Sequence, residues 1–243
     1  MKTFLHSGDM GDIVYALPTI RAMGGGVLYL DTSGGGNDPF VNRQLGSGWH
    51  LKFNDTCYNF LKPLIEAQPY IHGVEKYVSQ KINVNLNGFR TRLRADNQEN
   101  LAQSHLKYFN LDLSDKEIIP WIEVPDSGRA PVREIVVNRS LRYHTAYIMW
   151  VTLAGMCRDK AEFVGTPFEH EVFSKTFEID IPYYPCENAL VLAQRLKDAR
   201  YFIGNQSMPM SVRIGLGLPF AQESYIKCPN CIFDGISGRY TFN

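Results

Sequence analysis

The chain of 243 residues carries 25 lysines and arginines against 25 aspartates and glutamates, with 44% hydrophobic and 21% charged residues. That composition belongs to a globular protein with a real core, long for one domain and short for two. Balanced charge gives no global pull toward nucleic acid or an anionic membrane, and no apolar run reaches the ~20 residues that span a bilayer.

The opening MKTFLHSGD has too short an apolar stretch for a secretory leader. Five scattered cysteines fit reduced thiols and a cytoplasmic setting, so the sequons at Asn54, Asn138 and Asn205 are expected to carry no glycan. Residues 2–7 (KTFLHS) predict a strand, followed by a helix from about Asp12 to Met23. Ile13, Leu17 and Ile20 recur there at helical spacing, and Val14 and Ala16 widen the stripe. Pro18 inside this run is expected to bend it or shift its start. Residues 27–30 (VLYL), bracketed by glycines and too short for a helix, predict a buried strand. DTSGGGNDPF (31–40) reads as a mobile loop.

Residues 57–68 and 97–109 both show helical spacing of apolar side chains. Between them GFRTRLRAD sets Arg90, Arg92 and Arg94 at period two, on one face of a strand or extended loop. IIPWIEV (118–124) reads as strand-like, and EVPDSGRAPVRE (123–134) as an interdomain linker. The second half repeats the alternation: strand 134–138, buried helix 143–156, strand 161–165, helix 187–199, strand 200–205, helix 207–217 and strand 218–223. Strand alternating with helix predicts parallel α/β sheets, in an N-terminal domain 1–126 and a C-terminal domain 132–243. The CPNC pair, Cys228 and Cys231, lacks the further ligands of a zinc site and reads as a surface turn.

In HSGDMGDIVYALPTI, Gly8 and Gly11 allow another molecule close to the backbone, and Asp9 or Asp12 can cap the helix. Neither the Walker lysine nor the dinucleotide fingerprint is present. On these residues alone, a capped helix and a catalytic carboxylate both remain open.

GDMGDIVYALPTIRAM resembles the N-terminal signature of the heptosyltransferase-like glycosyltransferases of family nine. ENALVLAQRLKDARYFIGNQSMPMSVRIGLGLPF (187–220) resembles that family's donor-site block, through Gly204, Asn205, Ser207, Pro209, Met210, Gly217 and Pro219. The resemblance implies GT-B architecture, two Rossmann-like domains facing across a cleft. It implies an inverting transfer of a sugar from a nucleotide diphosphate sugar to an acceptor hydroxyl, with Asp12 as general base. Such a base takes the hydroxyl proton as oxygen attacks the anomeric carbon. The NQSMP turn would present helix N-terminal N–H groups to a diphosphate, so Asn205, Gln206, Ser207, Met208, Pro209 and Met210 are donor-site candidates.

Arg139, Ser140 and Arg142, in VVNRSLRYH, would neutralise the leaving diphosphate. Glu169, in FVGTPFEHE, would hold donor hydroxyls. Ser7, Gly8, Asp9, Gly11, Arg90 and Arg92 are acceptor-side candidates. The family pattern has aspartate at Gln206, glycine at Met208 and often histidine at Ser211. No cofactor is expected beyond the sugar nucleotide, and no metal, since no Asp-x-Asp is present. Two other readings stand beside this one. The short chain and its arginines suggest a viral-type transferase acting on a modified DNA base, which the neutral charge disfavours. Gln206 and Met208 suggest an inactive sugar-nucleotide or glycan-binding module.

Overall fold

The computed structural model describes residues 1–33, 53–95, 99–128, 133–145, 147–225, 227–233 and 236–242. Most of the loop expected at 31–40 lies outside them.

Short β-rich runs alternate with helices and assemble into two sheets. In the first, β1 (Lys2–His6), β2 (Gly26–Leu30), β3 (Ile71–Lys76) and β4 (Val84–Asn85) stand in the order β3-β2-β1-β4, every pair parallel. Its helices are α1 (Met10–Ala22), α2 (Asp55–Glu66), α3 (Phe89–Ala95), α4 (Leu101–Tyr108) and α5 (Asp115–Ile118). In the second, β5 (Ile135–Asn138), β6 (Ala161–Phe163), β7 (Tyr201–Asn205), β8 (Phe220–Glu223) and β9 (Arg239–Phe242) follow the order β6-β5-β7-β8-β9, again parallel. Helices α6 (Tyr147–Cys157), α7 (Pro167–Phe177), α8 (Ala189–Asp198) and α9 (Met208–Gly215) accompany it. The strand order reverses between β1 and β4, and again between β5 and β7. Past the carboxyl ends of the strands at such reversals, α/β sheets open crevices that bind ligands.

Helix α1 starts at Met10 with Asp9 as its N-cap, two residues before the expected start. Pro18 stays inside the helix without ending it. Residues Ile13 through Ile20 are all buried, because α1 lies between its own sheet, α4 and α9. A helix enclosed on every side needs no polar face.

Two expectations are corrected. The arginine row lies on helix α3, not on a strand, so residues two apart point about 200° apart. Residues 118–124 do not enter a sheet. Pro120 lacks an N–H, and the segment docks on α9 instead, with Trp121 and Ile122 N–H both donating to the Gly215 carbonyl at 2.9 Å. Arg21 holds the same segment through the Pro120 and Ile118 carbonyls, and Trp121 is fully buried. A side chain at Gly215 would come within 2.6 Å of Ile122 Cδ1, so only glycine admits this approach. Strands β3, β4 and β9 and helix α7 were not foreseen.

One apolar cluster runs through both halves, from Phe4, Leu17 and Leu61 to Leu196, Ile214 and Phe220. Helix α1 packs on α9, and α2 on α8. A second cluster around Trp150, Phe163, Phe173 and Phe177 fills the outer side of the second sheet. Among the described residues, no helix is long and apolar enough to cross a membrane.

Candidate functional site

Strand β1 ends at His6, and the turn Ser7–Asp9 carries the chain into α1. Gly8 is required there: a Cβ would lie 2.6 Å from His6 Cε1 and 2.8 Å from Asp12 Oδ2. Asp12 occupies the third position of α1, and its carboxylate accepts from the backbone N–H of the N-cap Asp9. Ser7 N–H and Oγ–H both donate to Asn87 Oδ1 at 2.9 Å, which ties the loops after β1 and β4 together. Arg90 bonds the same Asn87 oxygen at 2.9 Å and covers the Phe89 ring.

The loop after β5 forms the opposing wall. Ser140 N–H donates to Asn205 Oδ1 at 2.9 Å, and the Asn205 amide donates to the carbonyls of Ser140 and Arg142. So anchored, Arg142 reaches across to Asp9, Nη1 to Oδ2 3.2 Å, with about a quarter of each side chain exposed. Its guanidinium lies 5.3 Å from the centre of the Tyr143 ring. Tyr143 takes the left-handed φ of 59°, a strained conformation of the kind that collects at working sites. The N-terminal ends of α1 and α9 meet here, since a Cβ on Gly11 would sit 3.9 Å from Met208 Cα.

Burial pushes the Asp12 carboxyl up to about 6, with the Asp9 charge adding to the rise. Arg90, Arg142 and the Asp9 N–H oppose it. Burial also raises Glu169, which accepts from Thr166 N–H at 2.8 Å as half of a capping box and feels Arg142. Two carboxylates, Asp9 and Asp12, thus face two guanidiniums at a junction of helix N-termini. A concavity of about 740 Å³ bounded by Lys2, Met23, His72 and Asn83 opens at the opposite, amino end of the first sheet, away from this cluster.

No protein-family model and no curated protein matches the chain. Solved structures do. A family 9 glycosyl transferase from Veillonella parvula superposes with a TM-score of 0.60 at 12% identity, over 99% of this chain and 84% of the other. Heptosyltransferase WaaC of E. coli, with ADP, gives 0.52 at 13%, covering 99% and 92%. ADP-heptose lps heptosyltransferase II of E. coli gives 0.54 at 9%, covering 100% and 90%. This is the GT-B fold of the family 9 glycosyltransferases.

Within that family 9 fold, the expected residues divide into those gathered at the junction and those committed elsewhere. Gathered are Asp12, Asp9, Ser7, Gly8, Gly11, Arg90, Arg142 and the backbone of Met208, with Glu169 beside them. Arg139 is not presented to the junction. It is buried and held by Glu223 through Nε–Oε2 at 2.9 Å and Nη2–Oε1 at 3.0 Å, against Trp150 and Phe177. Arg92 turns to Glu99 at 3.1 Å, because α3 directs it away from Arg90.

Asn205 and Ser140 bind each other. Gln206 grips the chain at Cys228 O and Tyr225 N. Ser207 Oγ donates to Asn138 Oδ1 at 2.8 Å instead of capping α9. Pro209 and Met210 are buried in the core. The CPNC turn is not a plain surface feature either: Cys231 is buried, and Asn230 O accepts from Leu101 N–H at 2.9 Å, linking the turn to α4. Sequence reasoning overlooked His6 and His105, which lie 99 positions apart and carry no spacing signal.

Proposed function

We propose that the protein is an inverting, metal-independent glycosyltransferase that moves a sugar from a nucleotide diphosphate sugar to an acceptor hydroxyl, with Asp12 as general base. The observation that carries this reading is the Asp12 carboxyl, raised to about 6 and set at the strand-order reversal of the first sheet, facing the second. Such a group is ionised at neutral pH yet basic enough to accept a proton as the hydroxyl oxygen attacks. Arg142 and the α9 N-terminus supply positive charge for the departing diphosphate. Arg90 and the Ser7–Asp9 turn form the acceptor side, and Glu169 the far rim toward donor hydroxyls. WaaC is described with ADP and with ADP-2-deoxy-2-fluoro heptose, which makes ADP the first nucleotide to try.

A second reading, a sugar-nucleotide-binding module without turnover, is favoured by one observation. Arg139, Asn205 and Gln206 are all spent on internal bonds, which leaves Arg142 as the principal cation for a diphosphate among the described residues of the second half.

Thermal-shift screening of nucleoside diphosphates, followed by turnover assays on wild type and Asp12→Asn, separates the readings. Transfer predicts that both proteins are stabilised by the same nucleotide. Only wild type then consumes donor, with the variant slower by roughly 10²–10⁴-fold. Binding without turnover in wild type selects the module. No stabilisation by any nucleotide sinks both.

A further inference from the structure

Two buried imidazoles stand directly behind the Ser7–Asp9 turn. His6 closes β1, His105 lies in α4, and both are fully buried. Gly8 N–H donates to His6 Nδ1 at 2.9 Å, which makes that nitrogen an acceptor and leaves the ring proton on Nε2. His105 Nδ1 lies 2.7 Å from the Leu101 carbonyl, which can only accept, so His105 keeps its proton on Nδ1. The remaining contact, Nε2 to Nε2 at 3.1 Å, is then a bond from His6 to His105. Donation runs one way, from Gly8 through His6 and His105 to Leu101, and both rings are satisfied while uncharged. Phe89 stacks on His105 at 3.9 Å between centroids, and Arg90 follows it in the chain. Burial holds His105 down to about 3 and His6 well below its ordinary value.

We propose that His6 and His105 are positioning residues for the Asp12 carboxylate, acting through the turn that they fix. Gly8 is the physical link. It has His6 on one side and Asp12 on the other, with no room for a methyl group between them. The far end of the relay is anchored as well, because Leu101 N–H is bonded to Asn230 O. The role as stated rests on Asp12 being the base.

Asparagine and glutamine divide the two functions of His6. Asparagine places an amide oxygen where Nδ1 stands and accepts from Gly8. Glutamine reaches toward His105 and leaves the Gly8 N–H unpaired. Three readouts apply to wild type, His6→Gln and His6→Asn: donor turnover, ADP affinity, and the Asp12 titration followed by carboxyl ¹³C NMR. His6→Gln is expected to lower kcat by about 10-fold or more, as a displaced catalytic group does, with ADP affinity nearly unchanged. The Asp12 midpoint in that variant should fall from about 6 toward the ordinary carboxylate value as water reaches the group.

His6→Asn should recover most of both losses. Equal losses in the two variants, or an unmoved Asp12 midpoint in His6→Gln, overturn the proposal. If wild type transfers no sugar, the reaction falls and the carboxyl titration alone decides the relay. Should both variants fail to fold, ¹⁵N spectra of wild type decide it: opposite neutral tautomers on the two rings from pH 5 to 8 support the relay, and a shared tautomer or a charged ring overturns it.

Discussion

Arg139 and Arg142, three positions apart, show burial deciding what a charge is for. Arg139 is paired on both sides of its fork with Glu223, which also accepts from Thr145 N–H and Trp150 Nε1–H. Glu223→Gln strips the charge from that buried pair and is expected to cost about 3–5 kcal/mol in urea unfolding. Arg142 sits in a partly exposed pair with Asp9, of a kind worth under ~1 kcal/mol. Arg142→Ala should therefore barely change stability, yet weaken ADP binding about 10-fold or more through the lost charge-assisted bonds. Calorimetric titration of both variants checks the contrast, and the reverse pattern would reassign the diphosphate cation to Arg139. Spacing in VVNRSLRYH ranks these arginines equally. The partner that separates them, Glu223, is 84 residues away from Arg139, so local sequence carries no trace of it.

Helix α1 was legible because Ile13, Leu17 and Ile20 recur at helical spacing. Its start was not, since both Asp9 and Asp12 satisfy the rules for a cap and only the turn geometry chooses. The choice leaves Asp12 at the third position, where the helix N-terminus favours its charge and burial opposes it. Burial prevails, so the folded state holds this proton more tightly than the unfolded chain does. Stability from this group therefore falls as pH rises from about 4 to about 6, and above that range the charged carboxylate costs at most ~3 kcal/mol. Asp12→Asn, already expected to slow transfer, should raise stability at pH 7.5 and lose that gain near pH 4. Denaturant curves at the two values test it, and a less stable variant at pH 7.5 would mean the carboxylate is well solvated. The strand-order reversals share a device that periodicity could not disclose: Asn87 pins Ser7 in the first sheet, and Asn205 pins Ser140 in the second. In sequence these asparagines look like turn residues.

Across the whole molecule, the alternation of strand and helix and the two parallel sheets were readable. The relation between the parts was not. Proline and glycine in residues 123–134 read as an interdomain linker, and nothing there discloses that the approach to it, Trp121 and Ile122, is clamped onto α9. With one apolar cluster crossing both halves, unfolding is expected as a single transition, coincident by tryptophan fluorescence and far-ultraviolet circular dichroism. Two separated transitions would show that the halves fold alone.

That common interior bears on size. Divided into independent bodies, a chain of 243 residues would yield units of roughly 120 residues, each burying a smaller share of its surface than one body of the full length. Merging the interiors removes that penalty, and it argues against a free hinge, because motion between domains is the default unless their interface is large and hydrophobic. The walls carrying Asp12 and Arg142 are thereby expected to stand at a set spacing, as a mould whose fit would be decided before the ligand arrives.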